Sequence, residues 1–257
     1  MHFPADSKSV SSAPRIDRVR HELKWRLLTV ASVVQLTPGM LRINLSGEDL
    51  SDFRSLSPDD HVKIFVPAPP GEPERRDYTP RRYDALSRTL TIDFAVHDAG
   101  AATRWALQAR PGDRLEVAGP RGSAVVSPDV ERWLLIGDET ALPATGRRIE
   151  EAAAGTRITS VVAVSGPEEH QKFETRAELI ALWAHRPLSQ AADPEALLAA
   201  VKTIGLEPET FVWIAAEAAV TRAIRAHLVE KHCYPLSWTK ASRYWVMGHA
   251  DARETFD

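Results

Sequence analysis

A chain of 257 residues leaves room for one large domain or two smaller ones. With 44% hydrophobic and 26% charged residues it can bury a self-sufficient core, and a net charge of -3 argues against nucleic acid or a membrane surface as the main partner. The single cysteine, Cys233, excludes an intrachain disulfide, a Cys-rich zinc site and an iron–sulfur cluster held by this chain alone. No apolar run is long enough to span a bilayer, and Met1–Val10 lacks an apolar signal core, so a cytoplasmic location is expected.

Residues 1–24 are polar, with Ser7, Ser9, Ser11, Ser12 and Pro14, and read as a flexible N-terminal segment. From Trp25 the pattern becomes β. Arg26–Gln35 alternates around Leu27, Val30 and Val33, Thr37–Met40 is a turn, and Leu41–Leu45 is the return strand. His61–Pro67 is a third strand, ended by the Pro-rich loop Pro67–Pro73. Asp77–Arg82 is a fourth, followed by Leu90–Val96 and Arg114–Val117. Short strands at close spacing predict an antiparallel barrel or sandwich.

After about Val125 the texture changes. Trp133–Ile136, Ile158–Val164 and Phe211–Ala215 are apolar runs of buried-strand type. Between and after them, Leu142–Ala153 (with Leu142, Ile149 and Ala153 inward), Glu195–Ile204 and Ala218–Lys231 have helical spacing. Strands alternating with helices predict a parallel α/β sheet. The expected fold class is therefore a β-barrel plus α/β, with the barrel over 25–124 and the α/β domain over 125–257. Charge divides with it. Residues 1–124 carry 18 basic and 16 acidic side chains, the remainder 14 and 19.

Neither G-x-G-x-x-G nor G-x-x-x-x-G-K-[ST] is present, nor H-E-x-x-H, nor G-x-S-x-G, so standard Rossmann, P-loop, zincin and hydrolase readings lose support. Five stretches remain. Arg75-Arg76-Asp77-Tyr78-Thr79-Pro80-Arg81 is a solvated basic edge strand or a platform that stacks a flat polar ligand. On one strand Arg76, Tyr78 and Pro80 share a face, opposite Asp77, Thr79 and Arg81. Asp93–His97 leads through small residues into a helix near Ala102, whose free N–H groups can hold a phosphate, with Thr103 adding a hydroxyl. His97 and Trp105 taken singly read as structural. Gly119-Pro120-Arg121-Gly122-Ser123 reads as a linker turn. Gly137–Ala144 lies at the carboxyl end of the first α/β strand, where open sheets bind ligands. Thr140 there reads as a helix cap and Pro143 as a first-turn residue. Ser242–Gly248 carries an aromatic pair, Tyr244 and Trp245, that suits a docking anchor or a ring-stacking lid.

Taken in order, Arg76-x-Tyr78-Thr79-x-Arg81, Asp93-Phe94-x-x-His97, Trp105-Ala106, Gly119–Ser123, Gly137–Ala144 and Tyr244-Trp245 resemble the siderophore-interacting proteins, the FAD-dependent ferric-siderophore reductases of bacteria and relatives of the ferredoxin–NADP reductase superfamily. The similarity runs from about Trp25 to Gly248. It implies a flavin-binding barrel followed by a nicotinamide-binding α/β domain. By position, Tyr78 lies against the isoalloxazine, Thr79 near its reactive edge, and Arg76 at the pyrophosphate, with Arg81 in the same motif. His97, Ala101, Ala102 and Thr103 form a second phosphate and adenine set, here with Gly100-Ala101-Ala102 in place of the commoner Gly-Pro-Ala. Asp138 and Thr140 line the nicotinamide cleft, joined by Glu217 (with Ala216 in place of the usual Gly) and by Trp245. Lys63, Arg121 and Lys240 are implied as cations that hold an anionic ferric siderophore.

The implied activity is electron transfer from NADH or NADPH through FAD to Fe(III), releasing Fe(II), by a monomer. Alternatives are a flavin reductase relative that uses ferredoxin as donor or acceptor, and a non-enzymatic siderophore-binding module.

Overall fold

The computed structural model describes residues 13–67, 71–96 and 100–249. The elements are β1 (Ile16–Arg20), β2 (Trp25–Thr37), β3 (Met40–Ser46), β4 (Val62–Val66), β5 (Glu74–Tyr78), β6 (Pro80–Asp84), β7 (Thr89–Ala95), α1 (Ala101–Gln108), β8 (Arg114–Ala118) and β9 (Gly122–Val126). They continue with β10 (Arg132–Asp138), α2 (Leu142–Glu151), β11 (Arg157–Val164), β12 (Glu178–His185), α3 (Glu195–Lys202), β13 (Thr210–Glu217), α4 (Ala218–Ala226) and β14 (Thr239–Trp245).

Seven antiparallel strands form one sheet in the order β5-β4-β8-β2-β3-β7-β6. Its two edge strands, β5 and β6, are consecutive in the chain and separated only by Thr79. One residue cannot bridge the width of a flat seven-stranded sheet, so the sheet must curl until its edges meet. Thr79 is the seam of that barrel. The long strand β2 makes the curl possible. Its first part pairs with β8 and its second with β3, and register shifts at Val30/Ser32 and Gln35/Thr37 bend it between the two. Alternating residues fill the interior, among them Leu28, Ile43, Ile64, Ile92, Phe94 and Val117, all without solvent exposure.

The second sheet is parallel, ordered β12-β11-β10-β13-β14. The first of its strands in sequence, β10, lies in the middle with β11 on one side and β13 on the other. Both faces of β10 are covered. Leu134 and Ile136 pack in one apolar cluster, Trp133 and Leu135 in the other. That explains a continuous apolar run instead of alternation. The chain order reverses between β10 and β13, which makes their carboxyl ends a topological switch point.

Several groups of contacts join the halves, three of them as follows. From α2, Arg147 donates to Ser55 Oγ (2.7 Å), Ser55 O (2.9 Å) and Pro80 O (3.1 Å). Beyond β11, Glu169 accepts from Thr37 Oγ1 (2.5 Å) and from Gly39 N (2.8 Å) at the β2–β3 turn. A Cβ on Gly39 would meet that carboxylate at 3.0 Å, so the close approach favours glycine. The third group centres on Asp59, which accepts from Trp213 Nε1 (3.2 Å) and pairs with Lys240 (2.6 Å).

The two-part β and α/β architecture agrees with the sequence-based expectation. Several details differ. Residues 16–20 are not a flexible segment, since β1 pairs along its whole length with β9. The glycine turn at 119–123 is accordingly more than a linker, because Gly122 opens β9. A single strand over Asp77–Arg82 is replaced by two strands that belong to opposite sheet edges. Pro80 and Arg81 are therefore both buried, where strict alternation would have separated them. Ala153 lies past the end of α2 and is exposed. The last helix gives way at His227–Lys231 to a wider π turn. The terminal aromatic pair sits on β14, a fifth parallel strand, rather than on a lid. Both β12 and β14 escaped the pattern reading because they are edge strands with half-exposed residues.

Candidate functional site at the seam and the switch point

The seam supplies the first half of the site. On β5 the ring of Tyr78 lies 4.4 Å from that of Phe94, and Phe94 lies 5.7 Å from Trp105 on α1. Burial raises the Tyr78 hydroxyl well above its ordinary value, against the opposing charge of Arg76, so the side chain acts as a neutral ring. Arg76 bonds within its own strand, to Glu74 and to Arg75 O. Helix α1 packs against β3, β4, β5 and β7. Ala101, Ala102 and Thr103 are buried there. Among the described residues no side chain caps this turn, and the nearest atom a Cβ on Gly100 would meet is Thr103 Oγ1, at 3.8 Å. A ring platform beside an uncapped, small-residue helix start fits an aromatic dinucleotide such as FAD. His97 and residues 68–70 of the Pro-rich loop lie outside the described residues.

The switch point supplies the second half. Asp138 ends β10 and is 2% exposed. Its Oδ1 accepts from Thr140 N (3.0 Å) and Thr140 Oγ1 (2.5 Å), and its Oδ2 from Glu217 N (2.8 Å) and Trp245 Nε1 (2.9 Å). The cap of this turn is thus Asp138, not Thr140. Gly137 allows the turn to fold back, since a Cβ there would lie 2.6 Å from Ala141 Cβ and 2.8 Å from Ala215 O. Glu217 ends β13 and caps α4 through Ala219 N (2.5 Å) and Val220 N (3.3 Å), while its Oε1 takes Met247 N (3.2 Å). All four expected residues, Asp138, Thr140, Glu217 and Trp245, therefore meet in one knot. Its carboxylates accept all these bonds from the chain itself, at the carboxyl ends of β10 and β13.

The two halves touch through β14. The Tyr244 hydroxyl lies beside Thr79 at the seam, and the Tyr244 ring stands edge-on to Trp213 at 6.0 Å. Burial, with the nearby Asp59 charge, raises the Tyr244 hydroxyl far above its ordinary value. Consecutive aromatics thus serve different partners, Tyr244 the seam and Trp245 the switch point.

The structure adds carboxylate partners to three of the expected cations. Arg81, expected with the cofactor contacts, is 5% exposed and makes a two-pronged pair with Glu150 on α2 (2.8 and 2.5 Å), with Asp93 3.7 Å away. It ties the seam to the second half. Lys63 and Lys240, implied as cations that hold the siderophore, are paired with Asp77 (2.9 Å) and Asp59 (2.6 Å). Burial alone would raise the Asp59 carboxyl, but the Lys240 ammonium and bonds from Ser57 and Trp213 hold it below the usual range. Arg121 is exposed and forms no ion pair among the described residues.

Sequence reading missed Glu139 and Arg186, a buried pair at 2.7 Å beside Asp138 that joins the ends of β10 and β12. Burial and the Asp138 charge push the Glu139 carboxyl up to about 7 against the pull of Arg186. It also missed Arg147, Glu150 and Asp59. No local pattern marks any of these, because each acts across a long sequence separation. Among the described residues no group of three or more metal-ligating side chains occurs.

Residues 130–248 match the family described as Siderophore-interacting protein, and residues 29–75 and 71–124 match the Siderophore-interacting FAD-binding domain. The NADPH-dependent ferric-chelate reductase of Escherichia coli (strain K12) is 34% identical over 259 residues, covering 92% of this chain and 99% of that one. The ferric vibriobactin reductase ViuB of Vibrio cholerae is 28% identical over 185 residues, covering 65% of this chain and 68% of its own. The crystal structure of a siderophore utilization protein from T. fusca aligns with a TM-score of 0.86 at 35% identity, covering 93% of this chain and 98% of that one.

Proposed function

The chain belongs to the siderophore-interacting protein family, and from that premise we propose that it is an FAD-dependent ferric-siderophore reductase that takes electrons from NADPH and releases Fe(II). The observation that carries this reading is that β14 sets Tyr244 beside Thr79 at the barrel seam and Trp245 on Asp138 at the switch point. A resident flavin and a diffusing nicotinamide need two adjoining sites of different construction, and the two halves supply them.

When bound, FAD supplies chemistry that side chains lack, accepting electrons in pairs and passing them on singly. The chain's own residues bind and orient. In this reading Tyr78 offers its neutral ring to the isoalloxazine, Arg76 turns from Glu74 to the pyrophosphate, and Ala101, Ala102 and Thr103 give backbone N–H groups and a hydroxyl to the second phosphate. His97 belongs to the same set by its position in the motif. Asp138, Thr140, Glu217 and Trp245 hold the crevice open in one shape for the nicotinamide. No side chain is asked to move a proton to or from iron. Reduction to Fe(II) weakens the hold of hard oxygen ligands, so release follows electron transfer.

The barrel over 25–124 is assigned to FAD and 125–257 to the nicotinamide. The reaction is placed in the cytoplasm, in a monomer. No helix among the described residues is long and apolar enough to cross a membrane, which is compatible with that placement.

The test is a panel of ferric siderophores incubated with the FAD-loaded protein and a ferrous trap. NADPH, NADH and reduced ferredoxin are supplied in turn under anaerobic conditions. Trapped Fe(II) with NADPH is the expected result. Flavin that bleaches with NADPH but yields Fe(II) from no siderophore would leave a flavin reductase with another acceptor. A protein that never binds FAD would be a binding module instead.

A further inference from the structure

Resting on the reductase reading, we infer that Asp59 and Asp77 set the substrate's charge class, so that the protein selects neutral ferric tris-hydroxamates over multiply anionic ferric tris-catecholates. The three cations implied at the rim do not act as three positive charges. Lys240 lies 2.6 Å from Asp59 and Lys63 lies 2.9 Å from Asp77. A carboxylate this close offsets much of each ammonium's field at a distance. Only Arg121 remains as an exposed cation without an ion pair among the described residues.

Separating these pairs is costly. The Asp59 side chain is 10% exposed and also accepts from Ser57 Oγ (2.6 Å) and Trp213 Nε1 (3.2 Å). An anion that drew Lys240 away would leave a buried carboxylate without its counter-charge, and it would stand near that carboxylate itself. A neutral ligand needs no such separation. An ammonium has three N–H donors, so a lysine paired with aspartate still has donors for ligand oxygens. Each hydroxamate brings one negative charge to Fe(III) and each catecholate two, so three hydroxamates neutralise the metal and three catecholates leave a strongly anionic complex.

Redox potential must be removed from the test, because catecholate complexes are intrinsically harder to reduce. Gallium(III) complexes of a neutral cyclic trihydroxamate and of a triscatecholate have the charges of the iron complexes without the electron transfer. Their dissociation constants with the FAD-loaded protein are read from tryptophan fluorescence over a range of ionic strength. The expected result is that the hydroxamate binds at least as tightly as the catecholate, with little salt dependence. Asp77→Asn and Asp59→Asn should each tighten catecholate binding, roughly tenfold at low salt, and leave hydroxamate binding within about twofold. Asp77 is the more exposed and keeps the test valid where Asp59→Asn perturbs folding. Catecholate binding tenfold tighter than hydroxamate in the unaltered protein, with a steep salt dependence, overturns the inference while leaving the reductase reading intact. Binding of neither complex overturns the siderophore reading and this inference together.

Discussion

The seam and the switch point are built on opposite principles. At the switch point the polar groups satisfy one another. Asp138 takes four donors and Glu217 takes three, all from this chain. At the seam the prominent features, among the described residues, are a half-buried ring, a helix start without a side-chain cap and an arginine bonded within its own strand. In the proposed reading one region keeps its shape by itself and the other packs with the bound flavin. A cofactor that stays can be part of the fold's own packing, while a ligand that comes and goes needs a crevice that keeps its shape when empty. Between them run Arg81, Arg147 and the approach of Tyr244 to Thr79, so each region's position depends on the other.

The sharpest way to break this contrast is Asp138→Ala. Four donors lose their acceptor in a buried site, and the cost should be about 3–5 kcal/mol in urea denaturation, with FAD content per folded molecule unchanged. A drop in FAD content at equal folded fraction would mean that the two regions are not separable. Arg81→Met should cost about 3 kcal/mol because Glu150 loses its two-pronged partner and keeps only the looser Arg82 contact at 3.6 Å. Arg81→Met combined with Glu150→Met should recover much of that loss, as a double-mutant cycle would read. Tyr78→Leu tests the other side. FAD affinity, followed by flavin fluorescence, should fall roughly tenfold, with a stability loss of about 1 kcal/mol. Trp245→Phe removes one of four donors to Asp138 and should cost about 1 kcal/mol, with flavin content untouched.

The smallest effect is a slope with pH. The raised Glu139 carboxyl binds a proton in the folded protein that the unfolded chain has already lost. Its contribution to stability is complete below the unfolded value and disappears as pH rises through the folded one, from about 4.5 to about 7. The denaturation midpoint should therefore decline over that window, and Glu139→Gln should flatten the decline.

Much of this was legible in the chain. The LTIDFA and WLLI runs placed β7 and β10, and the change from alternation to buried runs near residue 125 separated barrel from α/β half. The motif around Tyr78-Thr79 and the Gly137–Ala144 block pointed to two distinct places on the fold, and both lie at strand ends of the expected kind. Other features were hidden for identifiable reasons. β1 and β9 are short and polar, and each is a strand only because the other is. Arg81 reads as part of a ligand motif until α2 arrives beside it. Lys63 and Lys240 read as open cations because the sequence shows charge but not pairing.

What the sequence by itself determined is periodicity and local chemistry: which segments extend, which coil, where glycine is needed, and which ring, hydroxyl and cation types are on offer. Those follow from interactions between residues a few positions apart. Tertiary structure alone decided that Thr79 would close a barrel, that Tyr244 would reach it from 165 positions further along the chain, and that two aspartates would neutralise two lysines. Such contacts depend on how strand order and sheet curl bring distant backbone together, and no local pattern encodes that.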